Sequence, residues 1–107
     1  MSSSAKRYGN DYERLVAGYL GLERYPAGFH TDLGDLFGDL LFTVECKARR
    51  SGKFELSAWL AQAKLEGLKA GKWAIVVIKR PRMKVEESYV VMDLATFREI
   101  RGWLDVP

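Results

Sequence analysis

Cysteine and histidine are almost absent from this chain of 107 residues, which contains one of each. A single cysteine cannot form an internal disulfide, and this composition fits a reducing compartment. One cysteine and one histidine also cannot supply the ligand set that a zinc ion needs. We therefore expect neither a disulfide framework nor a zinc site.

Long apolar runs are missing as well. No run approaches the roughly 18 residues of a membrane span, and the first residues, Met-Ser-Ser-Ser-Ala-Lys-Arg, lack the apolar region of a signal peptide. Hydrophobic residues still make up 48% of the chain, which supports a globular core. We expect one intracellular, cytoplasmic domain at residues 9–107 and no membrane partner. A flexible basic arm at residues 1–8 would carry Lys6 and Arg7 along a phosphate backbone, or would serve only as a solubilising tail.

Positive charge is concentrated in one part of the chain. Cys46 to Lys84 holds eleven Lys or Arg against Glu55 and Glu66, a balance of 11 − 2 = +9. Since the net charge is +3, the remaining residues must sum to −6. This partition indicates a basic surface near an acidic pocket, an arrangement that suits a polyanion held over a metal site. Any single lysine could instead simply solvate a helix.

Asp35 to Lys47 read D-L-F-G-D-L-L-F-T-V-E-C-K, the pattern of a β-hairpin. Gly38-Asp39 supplies turn residues, and the stretch from Leu40 onward is rich in β-formers. Side chains alternate along a strand, so Glu45 and Lys47 share one face. If the hairpin folds about Leu40, Asp35 comes opposite Glu45. Two carboxylates and one ammonium then form a candidate site for a divalent cation.

Two other aspartates and the histidine are weaker candidates. Asp39 lies only six residues before Glu45, so pairing them would need a tight turn inside the best strand signal. Asp32 lies beyond the expected end of the hairpin. His30, in the loop before it, is expected to contact a phosphate group or nothing rather than to act in catalysis.

The remaining pattern predicts a mixed β-sheet flanked by helices, in the order α-β-β-β-α-β-β-α. Glycines end the first two helices, and a continuous apolar run indicates a central strand covered on both faces. Besides the hairpin strands, the expected elements are a helix from Asn10 or Asp11 to Leu20, an edge strand and loop over 22–30, a helix from Ser57 to Lys69, strands over 73–78 and 88–93, and a last helix over 94–103.

The spacing D-x9-E-x-K after a hydrophobic strand resembles the PD-(D/E)xK nuclease superfamily, and most closely the small Holliday junction resolvases of archaea and their phage relatives. The resemblance is carried by Gly9, Tyr12-Glu13-Arg14, Gly34-Asp35, Val44-Glu45-Cys46-Lys47-Ala48 and a helix with Gln62. The chain departs from the pattern at Gly34, which replaces the proline of the family name, and at Ala27, where related enzymes often carry a serine. The second departure leaves a polar contact to the scissile phosphate unaccounted for.

This resemblance implies a restriction-endonuclease-like core in an α/β fold and a Mg²⁺ ion, for which Mn²⁺ would substitute. Asp35, Glu45 and the backbone carbonyl of Cys46 would bind it, with Glu13 assisting directly or through water. Lys47 would orient or help deprotonate the attacking water, while the Cys46 side chain points into the core. Gln62 would hold a metal-bound water or the phosphate. The residues alone leave two alternatives open: a surface Glu13 paired with an arginine, and a plain surface Gln62.

The implied function is a DNA endonuclease acting as a homodimer on branched DNA such as a four-way junction, in a bacterial or archaeal cell. Nicking, flap or end-processing nucleases and a catalytically silent DNA-binding protein are the alternatives. Candidate dimer patches include Phe54, Trp59, Val90 to Met92 and Trp103. Expected phosphate contacts are Lys6, Arg7, Arg49, Arg50, Lys53, Lys79, Arg80, Arg82 and Lys84.

Overall fold

The computed structural model describes residues 4–26, 33–49 and 53–105. These residues form an α/β fold with a mixed sheet, which confirms the predicted class, and none of their helices is long and apolar enough to cross a membrane. A 3-10 turn over Val85–Glu87, which the predicted order lacks, precedes the last strand. The elements are α1 (Ser4–Leu20), β1 (Glu23–Arg24), β2 (Leu36–Phe37), β3 (Phe42–Lys47), α2 (Leu56–Ala70), β4 (Trp73–Ile78), β5 (Tyr89–Val91) and α3 (Leu94–Leu104).

The five strands lie in the spatial order β1-β2-β3-β4-β5. β3 and β4 are parallel, paired from Phe42 with Trp73 to Lys47 with Ile78, while the other neighbours are antiparallel. Parallel neighbours need a crossover connection, and α2 provides it. The strand that carries Glu45 and Lys47 is therefore held at the centre of the sheet.

Helices cover both faces of the two central strands. Along β4, Ile75 and Val77 face the core on the α1 side, whereas Ala74, Val76 and Ile78 face the core on the α2 side. The predicted central strand, buried on both faces, is confirmed. The first cluster also contains Tyr12, Val16, Ala17, Leu36, Val44 and Cys46, and the second contains Trp59 and Ala63.

Helix α1 is longer than expected. It begins at Ser4 rather than at Asn10 or Asp11, so residues 4–8, expected in a flexible arm, are helical. Alanine, lysine and arginine favour helix, and the cost of about 1 kcal/mol for a glycine does not stop it at Gly9. Tyr12 and Val16 of the predicted apolar stripe are buried. The stripe's other members, Leu15, Tyr19 and Leu20, are exposed.

Helix α2 begins one residue before the predicted capping residue, Ser57. The helix instead starts at Leu56 after Glu55, whose side chain makes no capping hydrogen bond, so the predicted Ser57 cap is wrong. Gly71 ends the helix as predicted, with a left-handed φ of 69°. Trp59 is buried at 5% exposure and packs in the core, which excludes it as a dimer patch.

Helix α3 begins at Leu94 as predicted, and the Asp93 side chain caps it by accepting a hydrogen bond of 2.8 Å from the Thr96 backbone N–H. None of its residues is buried. The rings of Trp103 and Trp73 are nearly perpendicular, at an interplanar angle of 78°, with their centroids 6.1 Å apart. The predicted apolar side of this helix thus lies largely on the surface.

We expect Gly67→Ala to destabilise the fold. A Cβ at Gly67 would lie 2.8 Å from the Lys72 carbonyl oxygen and 3.2 Å from the Ala74 Cβ, so α2 would have to move away from β4. The free energy of unfolding in urea should fall by roughly 1–3 kcal/mol. Gly102→Ala in α3 is the matched control, because its Cβ would meet nothing within 4 Å. Equal stability of the two variants would contradict this packing.

Candidate functional site

The hairpin has the predicted register. Leu36 pairs with Val44, and the Asp35 N–H donates to the Val44 carbonyl at 2.9 Å, so Asp35 lies opposite Glu45. Asp39 belongs to the turn instead, since its Oδ1 accepts hydrogen bonds of 2.8 Å and 2.7 Å from the N–H groups of Leu41 and Phe42. The structure therefore brings the expected aspartate to β3 and gives Asp39 a turn-forming role.

The Asp35 carboxylate is fixed by a hydrogen bond to the backbone of β3. Its Oδ2 accepts a hydrogen bond of 2.8 Å from the Cys46 backbone N–H. Burial raises the pKa of Asp35, while this hydrogen bond and the charge of Lys47 act in the opposite direction. The Cys46 side chain turns to the other face and is buried in the α1-side core, as predicted.

Glu45 is a buried acid, with 4% of its surface exposed. Burial, followed by a hydrogen bond with the Glu66 side chain and the charge of Asp35, raises the pKa of Glu45 to about 9. The positive charge of Lys47 lowers the pKa of Glu45, but its Nζ lies 4.0 Å from Glu45 Oε2, which is too far for a hydrogen bond. In the absence of a cation, Glu45 is thus protonated at neutral pH.

Glu66 is a further acid at this site, although the sequence pattern indicated it only as part of the charge balance. It lies on α2 with 7% of its surface exposed, and its Oε2 is buried without a hydrogen-bond partner. The sequence did hold a signal: Glu66 follows Trp59 by seven residues and Ala63 by three, which places it on the helix face that those residues bury.

Gln62 reaches the site through Glu66. Its Nε2 donates a hydrogen bond of 3.1 Å to Glu66 Oε1, although the rest of Gln62 is exposed. Glu66 in turn interacts with Glu45. Gln62 therefore lies at the rim of the acid cluster, where it can turn toward a bound water or phosphate.

Glu13 forms an ion pair with an arginine, which is the alternative that the sequence left open. Its Oε1 lies 3.4 Å from both Nε and Nη2 of Arg24. Burial and the charge of Asp35 raise the pKa of Glu13, while the charges of Arg24 and Lys47 lower it. Glu13 therefore pairs with an arginine and also lies within the electrostatic field of the Asp35 and Lys47 groups.

The donor set fits a hard divalent cation. Mg²⁺ binds one or two carboxylates and keeps several of its waters, so Asp35 and Glu45 suffice as side-chain ligands. Across 4–26, 33–49 and 53–105, no three His, Cys, Asp or Glu side chains are grouped so as to hold a metal ion by themselves. The half-buried Asp35 carboxylate, the buried Glu45 carboxyl group and the unpartnered Glu66 oxygen are oxygen acceptors whose burial a cation would compensate.

Several of the expected DNA-binding cations lie over aromatic rings. The Arg49 guanidinium lies 5.3 Å from the Trp59 ring centroid, and one of its nitrogens is 3.6 Å from a Glu55 carboxylate oxygen. Lys79 Nζ lies 5.7 Å from the centroid of the Tyr8 ring. The ring contacts position the charged groups without neutralising them, whereas Glu55 pairs with the charge of Arg49.

The other expected phosphate contacts are on the surface of the described residues or outside them. Arg80 stacks over Tyr89 at 4.8 Å, and Arg82 has a positive φ of 67° in the turn that follows β4. Among these expected contacts, the exposed ones are Lys6, Arg7, Lys53, Arg82 and Lys84. Arg50 lies outside the described residues, as do Ala27, His30 and Asp32.

Comparison with models of protein families, with curated proteins and with solved structures finds no match to this chain. The nuclease resemblance therefore depends on the residues quoted for it. The structure shows in addition where three of those residues lie: Asp35, Glu45 and Lys47 meet at one end of β3.

We expect the metal-free protein to lose stability as pH rises from about 5 to 9. The folded state holds the Glu45 proton up to a pKa of about 9, while the unfolded chain releases it near the ordinary value, so the folded state binds more protons in this interval. Glu45→Gln, which is neutral at every pH, should be more stable than the parent at pH 8 by at least about 1 kcal/mol.

Urea unfolding in EDTA at several pH values measures this effect. Glu86→Gln, at an exposed glutamate, is the control and should keep the decline. A parent protein whose stability rises across the same interval would show that Glu45 is ionised in the folded state.

Proposed function

We propose that this protein is a metal-dependent DNA endonuclease with a restriction-endonuclease-like core. The observation that supports this most strongly is the register of the hairpin, which sets Asp35 opposite the buried Glu45 and brings Lys47 to the same end of β3. A purely structural role gives no reason to bury these carboxyl groups, since burying them costs free energy.

Each group has a defined task in phosphodiester hydrolysis. Asp35, Glu45 and the Cys46 backbone carbonyl would hold Mg²⁺, or Mn²⁺ in its place, which when bound supplies an activated water and stabilises charge on the phosphate. The Lys47 ammonium orients the attacking water and offsets developing negative charge. Glu13 contributes its negative charge to the cluster and would act on the cation through water.

Gln62 and the basic residues act on the DNA strand. The Gln62 amide can donate to a phosphate oxygen or position a water from the rim of the site. Arg49 and the cations that follow β4 would contact phosphates, because arginine binds phosphate with two hydrogen bonds. These contacts are independent of sequence and weaken as salt concentration rises.

Branched DNA is the substrate that we propose, with the protein acting as a homodimer. Resolving a four-way junction requires cuts in two strands, and one domain carries one hairpin site, so two copies related by a two-fold axis would supply both. Large apolar groups that could form the interface are exposed: Phe54 at 64%, Val90 at 55% and Trp103 at 56%.

Asp35→Asn should reduce Mg²⁺-dependent cleavage of DNA by at least about 100-fold, the scale of losing one group that stabilises transition-state charge. Glu45→Gln and Lys47→Ala should do the same, with cooperative unfolding retained. Asp39→Asn is the matched control, because Asp39 lies in the same hairpin and serves its turn. Full activity in Asp35→Asn, or inactivity in Asp39→Asn alone, contradicts the proposed site.

Light scattering at micromolar concentration should give a mass near twice the monomer mass of 12.2 kDa. A panel of junction, flap, nicked and linear DNA should show symmetric cuts in two strands of the junction. A stable monomer that prefers flaps or nicks would exclude the resolvase function, while the metal-dependent nuclease site would stand.

A further inference from the structure

A tight turn follows β4 at the end of the sheet where the candidate site lies. The Met83 N–H donates to the Arg80 carbonyl at 3.1 Å and so closes the turn. Pro81 occupies its second position and Arg82 its third, with a φ of 67° at Arg82. This combination is typical of a type II turn, whose third position normally holds glycine or asparagine. In the described part of the chain, Arg82 is the only non-glycine residue with a positive φ.

Arg82 gains nothing inside the protein from this conformation. A left-handed backbone costs free energy for a residue with a side chain, because the Cβ approaches the following carbonyl oxygen. The Arg82 side chain is exposed, and among the residues that the structure describes it has no hydrogen-bond, ion-pair or ring partner. Arg80, by contrast, stacks over Tyr89. A strained arginine without an internal contact indicates that its guanidinium serves a ligand.

The turn lies beside the candidate site and starts on the same face of the sheet. The Lys79 N–H donates to the Lys47 carbonyl at 2.9 Å, so the chain leaves β4 next to the end of β3. Lys47, Ile78 and Tyr89 are partners across neighbouring strands and therefore share the α2 face. Arg80 stacks over Tyr89 and so begins the turn on that face. Three residues span at most about 11 Å, so the tip of the turn lies within a few base-pair steps of about 3.4 Å from a phosphate held at Lys47.

We propose that this turn enters the minor groove of duplex DNA next to the cut, with the Arg82 guanidinium directed at the base edges. The proposal rests on the nuclease function above and adds how the duplex is held. The minor groove is about 6 Å wide, which is too narrow for a helix but open to the tip of a tight turn. Pro81 and Met83 flank Arg82 and are exposed. Such apolar side chains pack against the base steps of this groove, whereas they gain nothing from a phosphate.

Base edges distinguish a groove contact from a phosphate contact. A G·C pair carries the guanine N2 amino group in the minor groove, where an A·T pair presents only acceptors. Inosine lacks that amino group, so an I·C pair combines the minor groove of A·T with the major groove of G·C. Arginine donates hydrogen bonds and accepts none, so Arg82 should favour A·T and I·C pairs over G·C pairs. Phosphate contacts carry no such preference.

The test measures binding by fluorescence anisotropy in Ca²⁺, which permits binding without the proposed cleavage. Three four-way junctions differ only in the base pairs nearest the branch point, which are A·T, G·C or I·C. The A·T and I·C junctions should bind about tenfold more tightly than the G·C junction, the scale of one base contact. Arg82→Gly should remove this preference and, because glycine fits the turn, raise the melting temperature by about 4 °C. Lys84→Ala, at a neighbouring exposed cation, is the control and should weaken binding to all three junctions equally.

Equal affinity of the parent protein for the G·C and I·C junctions would overturn the proposal. An Arg82→Gly variant that keeps the preference, or that loses affinity for all three junctions alike, would overturn it too, and so would a lower melting temperature in that variant. Cleavage in Mg²⁺ is scored separately on the same junctions. Its absence despite an intact groove preference rejects the nuclease function alone, while Asp35-dependent cleavage without that preference rejects the groove contact alone.

Discussion

The hydrogen bond from the Cys46 N–H to the Asp35 carboxylate, 2.8 Å long, joins the candidate site to the sheet. This hydrogen bond adds a side-chain link to the backbone pairing of β2 with β3, and it forms only when Leu36 pairs with Val44. In that register Val44 and Cys46 face α1, and Glu45 and Lys47 face the other way. A slip of one residue would exchange these faces, placing Glu45 in the α1-side core and removing Cys46 from it. The apolar core and the acid cluster are therefore specified by the same pairing.

This arrangement places acids where a stable fold would place apolar groups. Glu45 and Glu66 are both buried, on a central strand and on the helix that covers it. Desolvation and mutual repulsion raise the pKa of Glu45 to about 9, so the metal-free protein retains a proton where a cation would otherwise supply positive charge. At this cluster the sequence breaks the rule that acids stay out of the core, whereas the rule holds around it. Such a local exception is typical of a site kept for function at a cost in stability.

Features that depend on local rules could be predicted from the sequence. The hairpin register followed from a turn about Leu40, and the shared face of Glu45 and Lys47 followed from the alternation of side chains. The strand β4 followed from a continuous apolar run, and the end of α2 followed from Gly71. Features that depend on packing between distant elements could not. The exposed face of α3 has the same apolar spacing as a buried helix, and Glu66 became a site residue only when the direction of the α2 face toward β3 was known. The nuclease function and its cation stay predictions, because they concern molecules that bind to the chain.

The longer α1 changes what the N-terminal residues can do. A flexible arm would contact DNA at positions that vary, whereas a helix from Ser4 holds Tyr8 and Gly9 one turn before Tyr12 and Glu13. The Tyr12 hydroxyl donates to Ser88 at 2.7 Å, which ties this helix to the segment between β4 and β5. Because Tyr12 is buried and anchored, Tyr8 is held in place by the same rigid helix. One element thus both contributes Tyr12 to the core and brings Glu13 to the acid cluster, so the position of Glu13 depends on the packing of this helix.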